Sequence, residues 1–139
     1  MSMSKNSLEQ GMLSPVNPPD SSWPGVSQGM TIRGSGIFVS TGHVGTNQHG
    51  EIVTESVEAQ VTALFENLKR TLACAGLSFE HVARMTTYVQ DFNPDVVETI
   101  RKVRARYFNQ ACAPASVMVA AGLYDPRIKV EAEIIAVVP

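Results

Sequence analysis

The chain has 139 residues, 44% of them hydrophobic and 17% charged, with a formal net charge of −2. That length suits one domain, and the apolar share excludes wholesale disorder. The charge balance speaks against a general nucleic-acid binder, and the longest aliphatic run, residues 134–138, is far short of the roughly 20 residues of a membrane helix.

Residues 1–25 hold four of the eight prolines and many serines with no apolar period. They read as a flexible tail, with the folded domain expected over 26–139. The β-rich runs 30–33 and 37–40 flank Gly34-Ser-Gly36 and read as a hairpin. A polar loop follows over 42–50. Val57, Val61, Leu64, Phe65, Leu68, Leu72 and Ala75 then recur at helical spacing. Thr54 is placed to cap that helix and Gly76 to end it, and Glu66 and Arg70 form an i,i+4 pair on its exposed side. Residues 82–90 alternate and predict a strand. Asn93-Pro94-Asp95 starts a second helix, as a cap, a proline at the first helical position and an acid at the positive dipole end. Val96, Ile100, Val103 and Tyr107 give it one apolar stripe. Strands over 115–123 and 128–138, joined by a turn at 124–127, complete the chain.

The order ββαβαββ predicts an α+β fold with one mixed sheet and both crossover helices on one face. Ile37-Phe-Val39 and Ile134-Ile-Ala-Val-Val138 are apolar in both directions, whereas a strand with a wet face alternates. Two helices cover one face. The other calls for a cover from outside, most simply another copy of the chain, because the tail is too proline-rich to supply a helix.

Glu131 and Glu133, two apart on the last strand, share a face with Ile135 and Val137. Carboxylates on an apolar face are costly unless paired or hydrated. They read either as a general acid/base at an interface or as ion-pairing groups that fix an assembly. Gly42, after Ser40-Thr41, would let a ligand approach the backbone, or simply ends a strand. His43, His49 and His81 are too scattered for a metal site, and His43 reads as a loop residue with a satisfied ring. Arg101, Lys102, Arg104 and Arg106 read as a solvated helix face, or as a source of one arginine for an anionic ligand. Phe65 and Tyr107 fall on the helix stripes and read as core. Cys74 reads as packing, and Cys112 as a loop thiol that nothing nearby activates. Two cysteines make no disulfide scaffold, and the amino terminus lacks a secretory core, so a cytoplasmic setting is expected. No serine-hydrolase elbow, phosphate loop, dinucleotide fingerprint or H-E-x-x-H motif occurs.

Ile37-Phe-Val-Ser-Thr-Gly42, Phe65-Glu-Asn-Leu-Lys69, Leu72-Ala-Cys-Ala-Gly76, Met85-Thr-Thr-Tyr-Val89, Tyr107-Phe108, Pro114-Ala-Ser116 and Val130-Glu-Ala-Glu-Ile-Ile-Ala136 occur in that order. Together they resemble the RidA/YjgF, or endoribonuclease L-PSP, family from about Pro24 to the end. The resemblance implies a chorismate-mutase-like fold, a homotrimeric barrel of three sheets, and small-molecule clefts between subunits. It also implies hydrolysis of imines and enamines without a cofactor. Non-catalytic ligand binding and ribonuclease or translation-inhibitor activity are the alternatives within it. Glu131 matches the family's water-handling glutamate and Gly42 its pocket glycine. Ser116 stands where the family's substrate-binding arginine follows Pro-Ala. Met118 stands for its cysteine, Arg101 for its asparagine and Val26 for its tyrosine. A serine in place of a guanidinium fork predicts weak binding of 2-imino acids. Arg101 is the first candidate to restore the missing cation, and Arg127 the second.

Overall fold

A computed structural model describes residues 12–21 and 23–139. Two strands, β1 (Leu13–Val16) and β2 (Gly29–Ile32), pair antiparallel as a small separate sheet. The main sheet contains β3 (Gly36–Val39), β4 (His43–Val44), β5 (Val82–Val89), β6 (Ala115–Ala120) and β7 (Val130–Val138). Its order is β3-β7-β5-β6, with β4 also paired to β7. The β5–β6 pair is parallel and the other pairs are antiparallel, so the sheet is mixed.

Helix α1 (Val57–Cys74) begins at Ser56, whose hydroxyl accepts from the Ala59 N–H at 3.0 Å; Ser56, not Thr54, is the cap. Gly76 follows the helix with φ +72°. Helix α2 (Pro94–Arg104) begins as expected, with the Asn93 side chain accepting from the Val96 N–H at 3.0 Å. Val61, Leu64, Phe65, Leu68 and Leu72 of α1 meet Ile100 and Val103 of α2, and Met85, Val89, Ala132, Ile134 and Ala136 of the sheet, in one core. Both helices therefore lie on the same side of the sheet. Tyr107 stacks on Phe65 with ring centroids 4.8 Å apart and is half-buried against this core.

Several local expectations are corrected. The runs around Gly34-Ser-Gly36 do not pair with each other. β2 takes β1 as its partner, and β3 takes the distant β7, which also receives the Ser35 N–H through the Val138 carbonyl. Leu13–Val16, inside the expected tail, is a strand. Glu66 accepts from the Tyr107 hydroxyl and Arg70 donates to Asn67, so the two do not pair with each other. Cys74 is exposed. The expected closed barrel is not found: the described sheet is open, with β3 and β6 as separate, unjoined edges. The strand order gives the chorismate-mutase-like description no support.

Among the described residues, the non-helical face is covered at one end only. Leu13 buries Ala83 and Val137 there, with Met12, Met30 and Cys112 packed around them. Residues 12–32 therefore cover part of this face with a strand pair, while the remainder of the expected tail, residues 1–11, lies outside the described residues. Beyond that patch Ile37 and Val39 are 62% and 64% exposed, and Val117 and Val119 are each 38% exposed.

Candidate active site

The loop from β3 to β4 is built to bring Gly42 against β7. Ser40 continues the pairing beyond β3. Its N–H donates to the Ile134 carbonyl at 3.0 Å, and its Oγ accepts from the Ile134 N–H at 2.9 Å. Five residues beyond Ser40, Gly45 is buried against α1, where any side chain would collide with the Gln60 carbonyl. Gln60 is itself buried and fully used. It donates to the carbonyls of Val53 and Arg127 at 2.8 and 2.9 Å and accepts from the Lys129 N–H at 2.7 Å. These contacts fix β4 between α1 and the start of β7.

Between those anchors, Gly42 lies over the Glu131 side chain. A methyl group on Gly42 would sit 2.8 Å from Glu131 Oε1 and 3.0 Å from its carboxyl carbon. A glycine is thus what lets this carboxylate occupy its place. His43 follows as the first residue of β4. Its Nδ1 is 2.9 Å from the Thr41 carbonyl, which only accepts, so Nδ1 carries the proton; Nε2 is 2.7 Å from the Thr71 hydroxyl. The ring is satisfied as expected, but His43 belongs to strand β4 and not to a loop.

The structure separates the two carboxylates of β7. Glu133 accepts from the Tyr88 hydroxyl at 2.7 Å. That bond, with burial and the charges of Glu133 and Glu131, raises the Tyr88 pKa and keeps the phenol protonated. Glu131 is half-buried and accepts no hydrogen bond among the described residues. Chemically, Glu131 is the carboxylate with oxygens available to water or a ligand.

Register places the remaining candidates elsewhere. Tyr88 pairs with Glu131 and Thr86 with Glu133, so both glutamates lie on the open face with Arg84 and Ile135. Met85 pairs with Ser116 and Thr87 with Met118, which puts Ser116 and Met118 on the helical face at the β6 edge. Val26 is half-buried there, next to Ser27, whose backbone bridges Ala115 and whose hydroxyl donates to the Ala113 carbonyl. Arg101 is exposed, beside a cavity of about 490 Å³ between α2 and residues 23–25. Gly42 and Glu131 are brought together, but the sheet separates them from Ser116, Met118, Val26 and Arg101. Arg127 is occupied, because its Nε and Nη2 grip Asp125 at 3.1 and 2.8 Å. That grip holds the Asp125 carboxyl down at about 2.

The profile of the endoribonuclease L-PSP family matches residues 24–138. The chain belongs to that family. Among L-PSP relatives, DfrA of Myxococcus xanthus is 38% identical over 63% of this chain and 64% of its own length, so the chain spans slightly less than two thirds of that protein. An Aquifex aeolicus "RutC family protein" is 30% identical over 80% of this chain and 86% of its own. The Escherichia coli protein named "Putative reactive intermediate deaminase TdcF" is 33% identical over 79% and 84%. In fold, the chain resembles the Rid protein YyfB of Yersinia pestis with a TM-score of 0.83 at 24% identity, covering 91% of this chain and 98% of that one.

One residue of this L-PSP chain was not singled out from its basic cluster in the sequence. Arg104, read with its neighbours as part of a solvated face, is 8% exposed, and its Nη1 lies 3.5 Å from the Ser116 hydroxyl. The signal was its spacing. Position 104 completes an i, i+3, i+4, i+7 series with Ile100, Val103 and Tyr107, so it falls inside the stripe that packs inward. Arg106 keeps to the expected solvated face and pairs with Glu58 at 2.7 Å.

Proposed function

We propose that the chain is a hydrolase of deaminase type acting on a small imine-, enamine- or carbonyl-type metabolite. The carrying observation is the Glu131 carboxylate, unbonded and held over Gly42 on an apolar sheet face. In the reaction water adds to a C=N carbon. Glu131 takes a proton from that water, and protons pass to the nitrogen, which leaves as ammonia while the carbon becomes a carbonyl. One imine and one water give one ketone and one ammonia. This is acid–base chemistry, read here as running without a cofactor. The name of the TdcF relative supports the reaction class.

The site is proposed to lie in a cleft between copies of the chain, as in the homotrimer the family resemblance implies. Two observations support this. Among the described residues, Ile37, Val39, Val117 and Val119 leave an apolar face uncovered. The sheet also keeps Gly42 and Glu131 apart from Ser116, Met118, Val26 and Arg101, so a cleft lined by all six needs one group from each of two copies. Ser116 stands where the family resemblance implies an arginine, so the chain is read as an arginine-lacking branch, and the usual 2-imino acids are proposed to be poor substrates. A cytoplasmic setting belongs to the same reading; among the described residues no helix is long and apolar enough to cross a membrane.

The test is ketone formation from an imine generated in situ. The wild type is expected to exceed the spontaneous rate, and E131Q to lose about 10²-fold or more of that gain. An unaccelerated wild-type reaction across imines and enamines, with saturable ligand binding, would move the reading to a binding protein.

A further inference from the structure

Arg104 is the described residue whose placement the fold alone does not explain. Its guanidinium carries five N–H donors and a fixed positive charge. Buried charges are normally paired. Here no carboxylate lies within ion-pairing distance among the described residues, and the one hydrogen bond, to the Ser116 hydroxyl, is long at 3.5 Å. Burial and the neighbouring Arg101 both disfavour the charge. An arginine kept there for structure alone would have an acid or a set of carbonyls around it.

The guanidinium instead borders the cavity of about 490 Å³ between α2 and the segment at Trp23–Gly25. Its Nη2 and the Gln110 Oε1 flank Gly25, at 3.6 and 3.7 Å from where a Gly25 side chain would begin. Arg101 and Lys102 share the wall with Arg104, against one acid, Glu98. The rest of the wall is largely apolar, with Trp23 and Phe108 contributing flat rings.

We infer that Arg104 is the anion-holding residue of this chain's ligand site, and that the cavity takes a small organic carboxylate with a flat, apolar body. The carboxylate occupies the free donors of the guanidinium as a forked pair, while Trp23 and Phe108 face the body. This rests on the site reading above, because Ser116 belongs to both. It assigns the cation to α2 through a residue that neither the family pattern nor the strand positions mark.

Trp23 is the only tryptophan in the chain, so its fluorescence reports this cavity. The full chain is titrated with benzoate at constant ionic strength, with inorganic phosphate in parallel. The expected result is a saturable change with benzoate, at least tenfold weaker in R104Q and unaltered in R106Q, whose side chain lies outside the cavity. R104K keeps the charge and the stem but loses the fork, so it is expected to weaken binding several-fold. That variant decides the matter if R104Q fails to fold. Benzoate affinity unchanged in either Arg104 variant, no saturable signal, or tighter binding of phosphate than benzoate would overturn the inference. Imine turnover is read separately. Arg104-dependent binding without turnover sinks the hydrolase reading alone, and turnover with affinity unchanged in R104Q sinks the anion site alone.

Discussion

On the helix side of the sheet Leu64, Phe65 and Leu68 are at most 1% exposed, whereas on the other side Ile37 and Val39 are more than 60% exposed. The same strands serve both sides, and both sides carry aliphatic residues. Composition therefore does not distinguish them; cover does. One side is closed by the chain's own helices. Among the described residues, the other is closed only where Leu13 reaches Ala83 and Val137. Apolar residues on the first side stabilise folding of the chain. Those further along the second stabilise nothing within a lone chain, which is why their conspicuous hydrophobicity points to association.

The largest expected effect lies on the closed side. F65A should destabilise the chain by about 3–5 kcal/mol in urea unfolding, because it opens a cavity where Tyr107, Phe79 and Phe108 pack. A loss under 1 kcal/mol would mean that this side is not the folding core. Q60A should cost about 2–4 kcal/mol by stranding two carbonyls and one N–H around a buried site. On the open side, G42A should leave the unfolding midpoint within about 1 kcal/mol of wild type while turnover falls at least tenfold, about 1.4 kcal/mol of barrier, because the methyl displaces Glu131. Undiminished turnover would detach Gly42 from the chemistry. I37T should change unfolding at high dilution by no more than about 0.5 kcal/mol, yet weaken self-association in sedimentation. The smallest effect is a dependence on pH. Asp125 is held at about 2 by Arg127, below its unfolded value of about 3.9. Its contribution to stability is whole above that unfolded value and is lost as pH falls through about 2. The stability difference between wild type and D125N should thus be constant from pH 5 to 8 and shrink only in acid.

Elements whose signals are local were legible. The side-chain cap at Asn93, the α1 stripe and the alternation of β5 all follow from neighbours a few residues apart. Pairings that span the chain were not. Gly34-Ser-Gly36 has the chemistry of a hairpin turn, but β7 competes for β3 from a hundred residues away, and no local turn preference outweighs a full ladder in the centre of the sheet. β1 was hidden by Pro15, which an edge strand tolerates because it need not donate there. At the site, Gly42 and Glu131 were named from sequence and do meet. That Ser116 lies on the other side depends on the register of β6 against β5, which side-chain alternation within either strand does not determine. Arg104 was concealed by its charged neighbours, although its spacing gave it away.

The antiparallel ladder of Leu13–Val16 with Gly29–Ile32 bears on how this polypeptide is shortened or tagged. Trimming at residue 24, where the family profile begins, removes β1 and retains β2. The cut exposes an unsatisfied row of amides on β2 and strips the Leu13 side chain from Ala83 and Val137. A fragment designed on family boundaries would be stickier than the parent, and its aggregation would be an artefact of the cloning decision.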